Sequence, residues 1–265
     1  MNKLIFLHLV KNGGSTMREI IEREYGRKYV MTIDSSNESD FIHLTRAKIE
    51  KLKVLQGHMQ FGHHQRFESK TSYITLLRKP LNRILSFYNY FGTLSNHPIN
   101  NEVINSNFSD FIKSKKRGPN FHNGQVRNIS GIDDKPEFML EKALENIEKH
   151  FSVVGLVERY EESLILMKQM LGWKRDPIYT KRNVSKKLID KSQISESAIQ
   201  LLNEKNEADL KLYEVMQKKF DDMIDRIGRQ GFNHELEKMK KKNQKYARYD
   251  FVYRYLDALN RRVFS

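Results

Sequence analysis

The sequence contains no cysteine. This absence excludes disulfide bonds and metal sites built on thiolates, and it suits a reducing compartment. Long apolar runs are also missing. The opening run, residues 4–10, is soon followed by two glycines, and it is too short for the core of a signal peptide or for a membrane span of ~18 or more residues. We therefore expect a soluble protein with a cytoplasmic location and no membrane span.

Acidic residues are in the minority. The chain has 33 Asp and Glu residues against 47 Lys and Arg residues, and its formal net charge is +14. Such an excess favours an anionic partner, which could be a phosphate-rich ligand, an acidic polymer, nucleic acid or a membrane surface. The basic residues concentrate over 181–191 and 238–262. For the second cluster, a solvated helix face is an equally good interpretation.

The order of apolar patterns predicts the fold class. Strand patterns alternate with helix patterns up to residue 157, and only helix patterns follow. This order predicts an α/β fold with a central, mostly parallel sheet flanked by helices, and a helical C-terminal extension. We expect an α/β domain over residues 1–228 and a basic, aromatic helical appendage over residues 229–265, suited to packing, homodimerisation or an anionic partner. The Asn-rich residues 93–107 are predicted to form a loop.

The first stretch that indicates chemistry is LIFLHLVKNGGSTM, residues 4–17. It predicts a buried strand, a glycine loop and the first turn of a helix, with Ser15 as a suitable N-cap. Backbone N–H groups and the helix dipole point at one spot there, and Lys11 adds a positive charge. An anion site is therefore predicted, with a tight turn in a core as the alternative. The stretch is neither G-x-x-x-x-G-K-[ST] nor G-x-G-x-x-G, which disfavours ATP and NAD as ligands.

A second strand–helix junction lies in RKPLNRILSFYNY, residues 78–90. Arg78 ends the predicted strand, and Pro80 occupies the first helical position, where its missing N–H is not needed. Arg83 and Ser86 share a helix face. A guanidinium at Arg78 and a hydroxyl at Ser86 can both donate to a phosphate. Because ligands of open α/β sheets bind at the carboxyl ends of strands, a ligand with two separated phosphates would satisfy both junctions. The alternative is an ordinary strand–Pro–helix junction with surface arginines.

Together, LHLVKNGGSTM and YITLLRKPLNRILSFY resemble the paired signatures of carbohydrate sulfotransferases that use 3′-phosphoadenosine 5′-phosphosulfate (PAPS). The heparan sulfate 2-O-sulfotransferase-like group looks most similar. GHMQFGHH (57–64) and FSVVGLVERYEESLILMKQMLGW (151–173) are similar to two further family segments. The family usually has Pro-Lys-Thr-Gly-Gly-Thr where this chain has VKNGGS (10–15), and an acidic residue where it has Lys79.

The resemblance implies a P-loop-like nucleotide-binding architecture without a metal. It also implies in-line transfer of a sulfuryl group from PAPS to an acceptor hydroxyl, with a sugar as the expected acceptor. The first motif would hold the 5′-phosphosulfate, and Lys11 would neutralise charge on the bridging oxygen. The second motif would hold the 3′-phosphate. The implied PAPS-binding residues are Lys11, Asn12, Gly13, Gly14, Ser15, Thr16, Arg78 and Ser86.

His58 is the predicted general base, because it follows a glycine at a strand end and matches the family position. A neutral His suits proton transfer near pH 7. His63 and His64 in the same loop are rivals. A zinc site made from the three histidines is the competing interpretation, but the H-x4-H-H spacing matches no zinc pattern that we can justify. Candidates for contact with the acceptor are Gln125, Arg127, Arg182 and Asn183, with His63 and His64 as further candidates.

Two other functions stay open at this point. A kinase-like phosphotransferase is disfavoured because the Walker lysine and an obvious Mg²⁺ carboxylate are missing from the sequence. A nucleic-acid- or polyanion-binding protein would use residues 238–262. It would bind with a steep salt dependence and would be indifferent to a bisphosphate nucleotide.

Overall fold

A parallel sheet lies at the centre of the fold. The computed structural model describes residues 2–34, 36–94, 98–105, 107–114, 118–180 and 189–249. The strands of this part are β1 (Lys3–Leu7), β2 (Val30–Ile33), β3 (Val54–Gly57), β4 (Thr71–Leu77) and β5 (Phe151–Leu156). Their order is β2-β3-β1-β4-β5, and every pairing is parallel. The predicted α/β class with a mostly parallel sheet is confirmed.

Helices connect the strands, as parallel pairing requires. Within the described ranges the α-helices are α1 (Gly14–Tyr25), α2 (Glu38–His43), α3 (Arg46–Lys51), α4 (Pro80–Phe91), α5 (Pro98–Asn105), α6 (Phe108–Lys113), α7 (Gly124–Ser130), α8 (Pro136–His150), α9 (Tyr160–Leu171), α10 (Glu196–Lys205), α11 (Glu207–Ile227) and α12 (Arg229–Arg248). None of these described helices has both the length and the apolar character that a membrane span needs.

The central strand explains why two loops meet at one edge of the sheet. In β1, residues 4–7 are all buried, as expected for a strand that is covered on both faces. β1 pairs with β4, so that Leu7 lies opposite Thr75, and Thr75 Oγ1 donates to Leu7 O at 2.7 Å. The loops that follow β1 and β4 therefore start side by side.

The loop prediction for residues 93–107 is wrong in part, because α5 lies within them. Val103 of α5 is buried in a second, smaller apolar cluster, together with Phe111 of α6 and Leu202 of α10. Asn100 Nδ2 also donates to Phe91 O at 2.9 Å, which ties α5 to the end of α4. Tertiary burial thus stabilises a short helix that the Asn-rich composition disfavours.

In the described residues after β5, every regular element is a helix, which confirms the helical C-terminal part. α12 contacts α9 and α11, and its Phe232, Leu236 and Met239 belong to the large apolar cluster around the sheet. Residues 250–265 lie outside the described ranges. A domain boundary at residue 228 stays a prediction.

Candidate active site

The loop after β1 presents backbone donors at the carboxyl edge of the sheet. Gly13 is the N-cap of α1, with φ 70°, and no side chain caps the helix. The prediction of Ser15 as the N-cap is therefore wrong, because α1 begins one residue before it, at Gly14. The first four N–H groups of a helix have no intrahelical acceptor, so those of residues 13–16 are available to an anion.

Gly14 is required by a close approach to His8. A Cβ at Gly14 would lie 1.9 Å from His8 Cδ2. The imidazole of His8 cannot retreat easily, because it is buried and stacks on Phe6 with ring centroids 5.5 Å apart. The missing side chain lets the first turn of α1 rest directly on His8.

Lys11 places a cation in the same loop. Its φ of 66° is left-handed, which is uncommon for a residue with a side chain. Its Nζ lies 3.9 Å from the ring centroid of Tyr90 on α4. Burial, and then repulsion from Arg78, lower the pKa of Lys11 to about 8. The amine is therefore still mainly charged at pH 7.

Arg78 joins the loop after β4 to the loop after β1. Its Nη1 donates to the carbonyl oxygen of Lys11 at 2.8 Å. Its Nε is buried and has no hydrogen-bond partner within the described ranges. Burial lowers the pKa of Arg78, and the negative charge of Glu158 opposes this shift. Because an unsatisfied buried donor is costly, the free Nε is suited to an anionic ligand.

One face of α4 lies along the β1 loop. Arg83 Nε donates to Val10 O at 3.2 Å, and the Tyr90 ring contacts Lys11. Ser86 lies between Arg83 and Tyr90 on this face, at helical spacing from both. Ser86 is half-buried. Arg83 is fully buried, so it holds the loop and does not face a ligand.

His58 follows β3 and contacts the β1 loop through His8. Its Nδ1 lies 2.8 Å from the carbonyl oxygen of His8, and the two ring centroids are 4.2 Å apart. A carbonyl only accepts, so Nδ1 carries the proton and Nε2 keeps its lone pair. Burial lowers the pKa of His58, the bond to His8 opposes this shift, and the charge of Arg18 adds to it. His58 is therefore neutral at pH 7 and oriented as a base.

A comparison with known proteins identifies the family. A family model described as Galactose-3-O-sulfotransferase matches residues 1–253. The chain belongs to the galactose-3-O-sulfotransferase family.

Individual relatives agree with this assignment. The chain is 23% identical to Galactose-3-O-sulfotransferase 3 of Mus musculus over 269 residues, which cover 92% of this chain and 62% of that protein. It is 24% identical to Galactosylceramide sulfotransferase of Bos taurus over 273 residues, which cover 92% of this chain and 63% of that protein. The chain thus spans less than two thirds of the length of these relatives. The expected likeness to the 2-O-sulfotransferase-like group is not shown by these matches.

A solved structure is also similar. It is titled as the crystal structure of mouse sulfotransferase SULT7A1 complexed with PAP, and it has a TM-score of 0.45 and 12% sequence identity to this chain. The match covers 81% of this chain and 89% of that one. A likeness at this level carries no weight for the site, so the fold assignment stands on the sheet and helices themselves.

His63 and His64, the other two candidates for the base in this galactose-3-O-sulfotransferase family member, have different partners. His63 Nε2 lies 3.0 Å from Glu38 Oε1, at an ion-pair distance without hydrogen-bond geometry. His64 Nδ1 lies 3.1 Å from Tyr73 Oη, and Tyr73 lies in the first half of β4. Burial lowers the pKa of both histidines. Of the three candidates for the base, His58 is the one that contacts the β1 loop.

The structure changes the role of two predicted ligand residues. Gln125 is fully buried, and its side-chain amide bonds to the loops after β1 and β4. Contact with an acceptor, as predicted for Gln125, is not supported, because no part of its side chain is exposed. Asn12 is also buried, and its Nδ2 donates to Leu76 O at 2.7 Å, while its backbone N–H donates to Leu9 O. Asn12 therefore shapes the loop from inside.

The remaining acceptor candidates stay predictions. Arg127 Nε donates to Pro119 O at 3.2 Å, and its guanidinium forms an ion pair with Asp133. Arg182 and Asn183 lie outside the described residues.

Two residues that support the site were not among the predicted site residues. Tyr160 Oη donates to Gly13 O at 3.3 Å from a position 147 residues further along the chain. Asp209 accepts from the backbone N–H of Gln125 at 3.1 Å and from that of Val126 at 2.8 Å. Tyr160 lies within residues 151–173, whose resemblance to a family segment is a signal that could have found it, whereas Asp209 lies on α11, whose periodicity indicates only packing.

Proposed function

We propose that this chain transfers a sulfuryl group from PAPS to a hydroxyl of a galactose-containing carbohydrate or glycolipid. The observation that carries the proposal is the bond from Arg78 Nη1 to Lys11 O. It brings two sets of anion donors, from the ends of two neighbouring strands, to one place. A ligand with two separated phosphates matches that arrangement better than a single anion does.

The residues present fit such a nucleotide. The N–H groups of residues 13–16 and the amine of Lys11 would hold the 5′-phosphosulfate. The half-buried guanidinium of Arg78, whose Nε has no partner among the described residues, and the hydroxyl of Ser86 would hold the 3′-phosphate. PAPS supplies the sulfuryl group, and adenosine 3′,5′-bisphosphate is the leaving group.

The chemistry requires one base and one cation. His58 Nε2 would take the proton of the acceptor hydroxyl while the acceptor oxygen forms its bond to sulfur and the bond from sulfur to the bridging oxygen breaks. Lys11 would stabilise the negative charge that develops on that bridging oxygen. A positioned donor of this kind is worth roughly 3–4 kcal/mol in the barrier, and a general base about 10²–10⁴-fold in rate.

The acceptor class is supported by the family and by the names of the relatives, which specify galactose and galactosylceramide. Family membership also disfavours the kinase-like and nucleic-acid-binding alternatives. A homodimer, an anionic partner for residues 229–265 and a cytoplasmic location all stay predictions.

The first test measures nucleotide binding. Adenosine 3′,5′-bisphosphate at ~100 times its Kd should add about 2.7 kcal/mol to the stability, which is roughly 5–10 °C in Tm for a chain of this size. Adenosine 5′-monophosphate lacks the 3′-phosphate, so at the same concentration it should shift Tm less. Equal shifts with the two nucleotides would contradict a two-phosphate site.

Transfer itself is tested with radiolabelled PAPS and a galactoside acceptor. Lys11→Ala should lower turnover by about 10²–10³-fold without unfolding the protein, because it removes a transition-state cation. Lys211→Ala removes an exposed lysine of α11 and is the control. Full turnover by the Lys11 variant would contradict the assignment.

A further inference from the structure

Gln125 contacts both phosphate-binding loops at once. Its Oε1 accepts from Asn12 Nδ2 at 2.7 Å and from the backbone N–H of Arg78 at 2.9 Å. Its Nε2 donates to the carbonyl oxygen of Arg78 at 2.9 Å. One amide thus makes three hydrogen bonds, one to the loop after β1 and two to the loop after β4. It lies on α7, which belongs to neither loop.

The start of α7, which carries Gln125, is held in place by Asp209 of α11 and by Arg83 of α4. α7 begins at Gly124, and Asp209 of α11 accepts the N–H groups of Gln125 and Val126. Arg83 Nη1 lies 3.9 Å from Asp209 Oδ2, and both side chains are buried. A Cβ at Gly124 would lie 2.8 Å from Arg83 Nη2, so the start of α7 packs tightly against Arg83. These contacts therefore hold the backbone that carries the Gln125 amide in a fixed position.

We propose that Gln125 is a positioning residue that holds the loops after β1 and β4 in one relative geometry, so that Lys11 and Arg78 can grip the two ends of one nucleotide. The inference rests on the proposed function for the identity of that nucleotide. The coupling of the two loops by the amide does not depend on it.

A second buried amide provides a matched control. Asn146 of α8 is 3% exposed, and its Nδ2 donates to Ile129 O and Ser130 O, each at 3.0 Å, at the other end of α7. Asn146→Leu and Gln125→Met both replace a buried amide on or against α7 by an apolar side chain of similar size. Only the Gln125 change removes bonds to the loops.

The experiment compares the two variants by calorimetric titration with adenosine 3′,5′-bisphosphate and by hydrogen exchange of the ligand-free proteins. Both variants should lower Tm, because each loses buried hydrogen bonds. Gln125→Met should weaken nucleotide binding by about tenfold or more, whereas Asn146→Leu should stay within about twofold of wild type. Exchange should rise over residues 8–16 and 76–80 in the Gln125 variant only. Gln125→Leu removes the same three bonds without adding a charge, and it serves if Gln125→Met does not fold.

The outcomes separate the two proposals. Nucleotide affinity and loop exchange that match those of Asn146→Leu would show Gln125 to be merely structural and would overturn the inference. A wild-type protein that does not bind the bisphosphate would overturn the proposed function. In that case the exchange data still decide whether Gln125 couples the loops.

Discussion

At the scale of single residues, burial keeps the candidate base His58 neutral, and the neighbouring His8 orients it. Burial, and then repulsion from His58 and Arg18, lower the pKa of His8 to about 2. His8 is therefore neutral over the physiological range, and its carbonyl oxygen orients His58. The pKa of His58 is also lowered, so a free lone pair at Nε2 persists to a lower pH than in an ordinary histidine.

The pH dependence of turnover follows from this arrangement. The base acts only when it is neutral, so turnover should fall as pH drops through the lowered pKa of His58. Turnover should also fall as pH rises through the pKa of Lys11, about 8, because the transition-state cation is then lost. His58→Ala should cut turnover by about 10²–10⁴-fold and should leave nucleotide affinity unchanged. Initial rates between pH 5 and pH 9, together with nucleotide titrations, check both statements.

His63→Ala and His64→Ala are the controls for this experiment, because these histidines face Glu38 and Tyr73. A His58 variant with full turnover, beside a His63 variant with little, would place the base at His63.

At the scale of elements, α1 begins without a capping side chain at its junction with β1. This lowers the stability of the helix start and leaves its N–H groups open to an anion. An N-cap side chain is typically worth about 1 kcal/mol, and α1 has none. The helix start is held instead by the packing of His8 against Gly14 and by the bond from Tyr160 Oη to Gly13 O. These contacts come from the residue after β1 and from α9, so the N–H groups themselves stay free for a ligand.

Gly14→Ala tests this junction. The added Cβ would overlap the His8 ring and force the helix start away from β1. We expect a loss of about 1–3 kcal/mol in the free energy of unfolding, as for other overpacked sites, and a matching loss of nucleotide affinity. Urea unfolding and nucleotide titration measure the two effects.

Gly118→Ala is the matched control, because a Cβ there would meet no atom of the described residues within 4 Å. If Gly14→Ala kept the stability and affinity of Gly118→Ala, the close approach of His8 would not hold the loop.

At the scale of the whole molecule, α12 belongs to the same packed unit as the sheet. Its Phe232, Leu236 and Met239 are buried against the large apolar cluster. Lys242 forms an ion pair with Asp176, and Asn243 Oδ1 accepts from the backbone N–H of Tyr179. These contacts argue that the described part of residues 229–265 supports the α/β domain.

Truncation after residue 228 tests that view. Exposure of three buried apolar side chains, at about 1.5–3 kcal/mol each, should cost on the order of 5 kcal/mol. This is a large part of a typical domain stability of about 5–15 kcal/mol. We therefore expect a large fall in Tm and in the denaturant midpoint. Truncation after Tyr249 keeps α12 and is the control. An unchanged Tm for the shorter chain would instead support an independent appendage beyond residue 228.

Local sequence patterns were sufficient to predict the strands and the charged residues of the candidate site. The apolar run of β1, the glycines after it and the Arg-Lys-Pro junction after β4 each predict their structure from a few adjacent residues. Lys11 and Arg78 follow from those junctions, because parallel strands end at one edge of the sheet. His58 was singled out partly by its position after a strand-end glycine.

What the sequence alone determined is therefore the α/β class, the two loops that we propose to bind anions, and the candidate base. Tertiary structure alone decided that Gln125 bonds to both loops, that Asn12 faces inward, that α1 starts at Gly14 and that α5 is a helix. The physical reason is the range of the interactions. A pattern of adjacent residues specifies backbone conformation and which face is buried, whereas the Asn12–Gln125 bond joins residues 113 positions apart and exists only once the chain has folded.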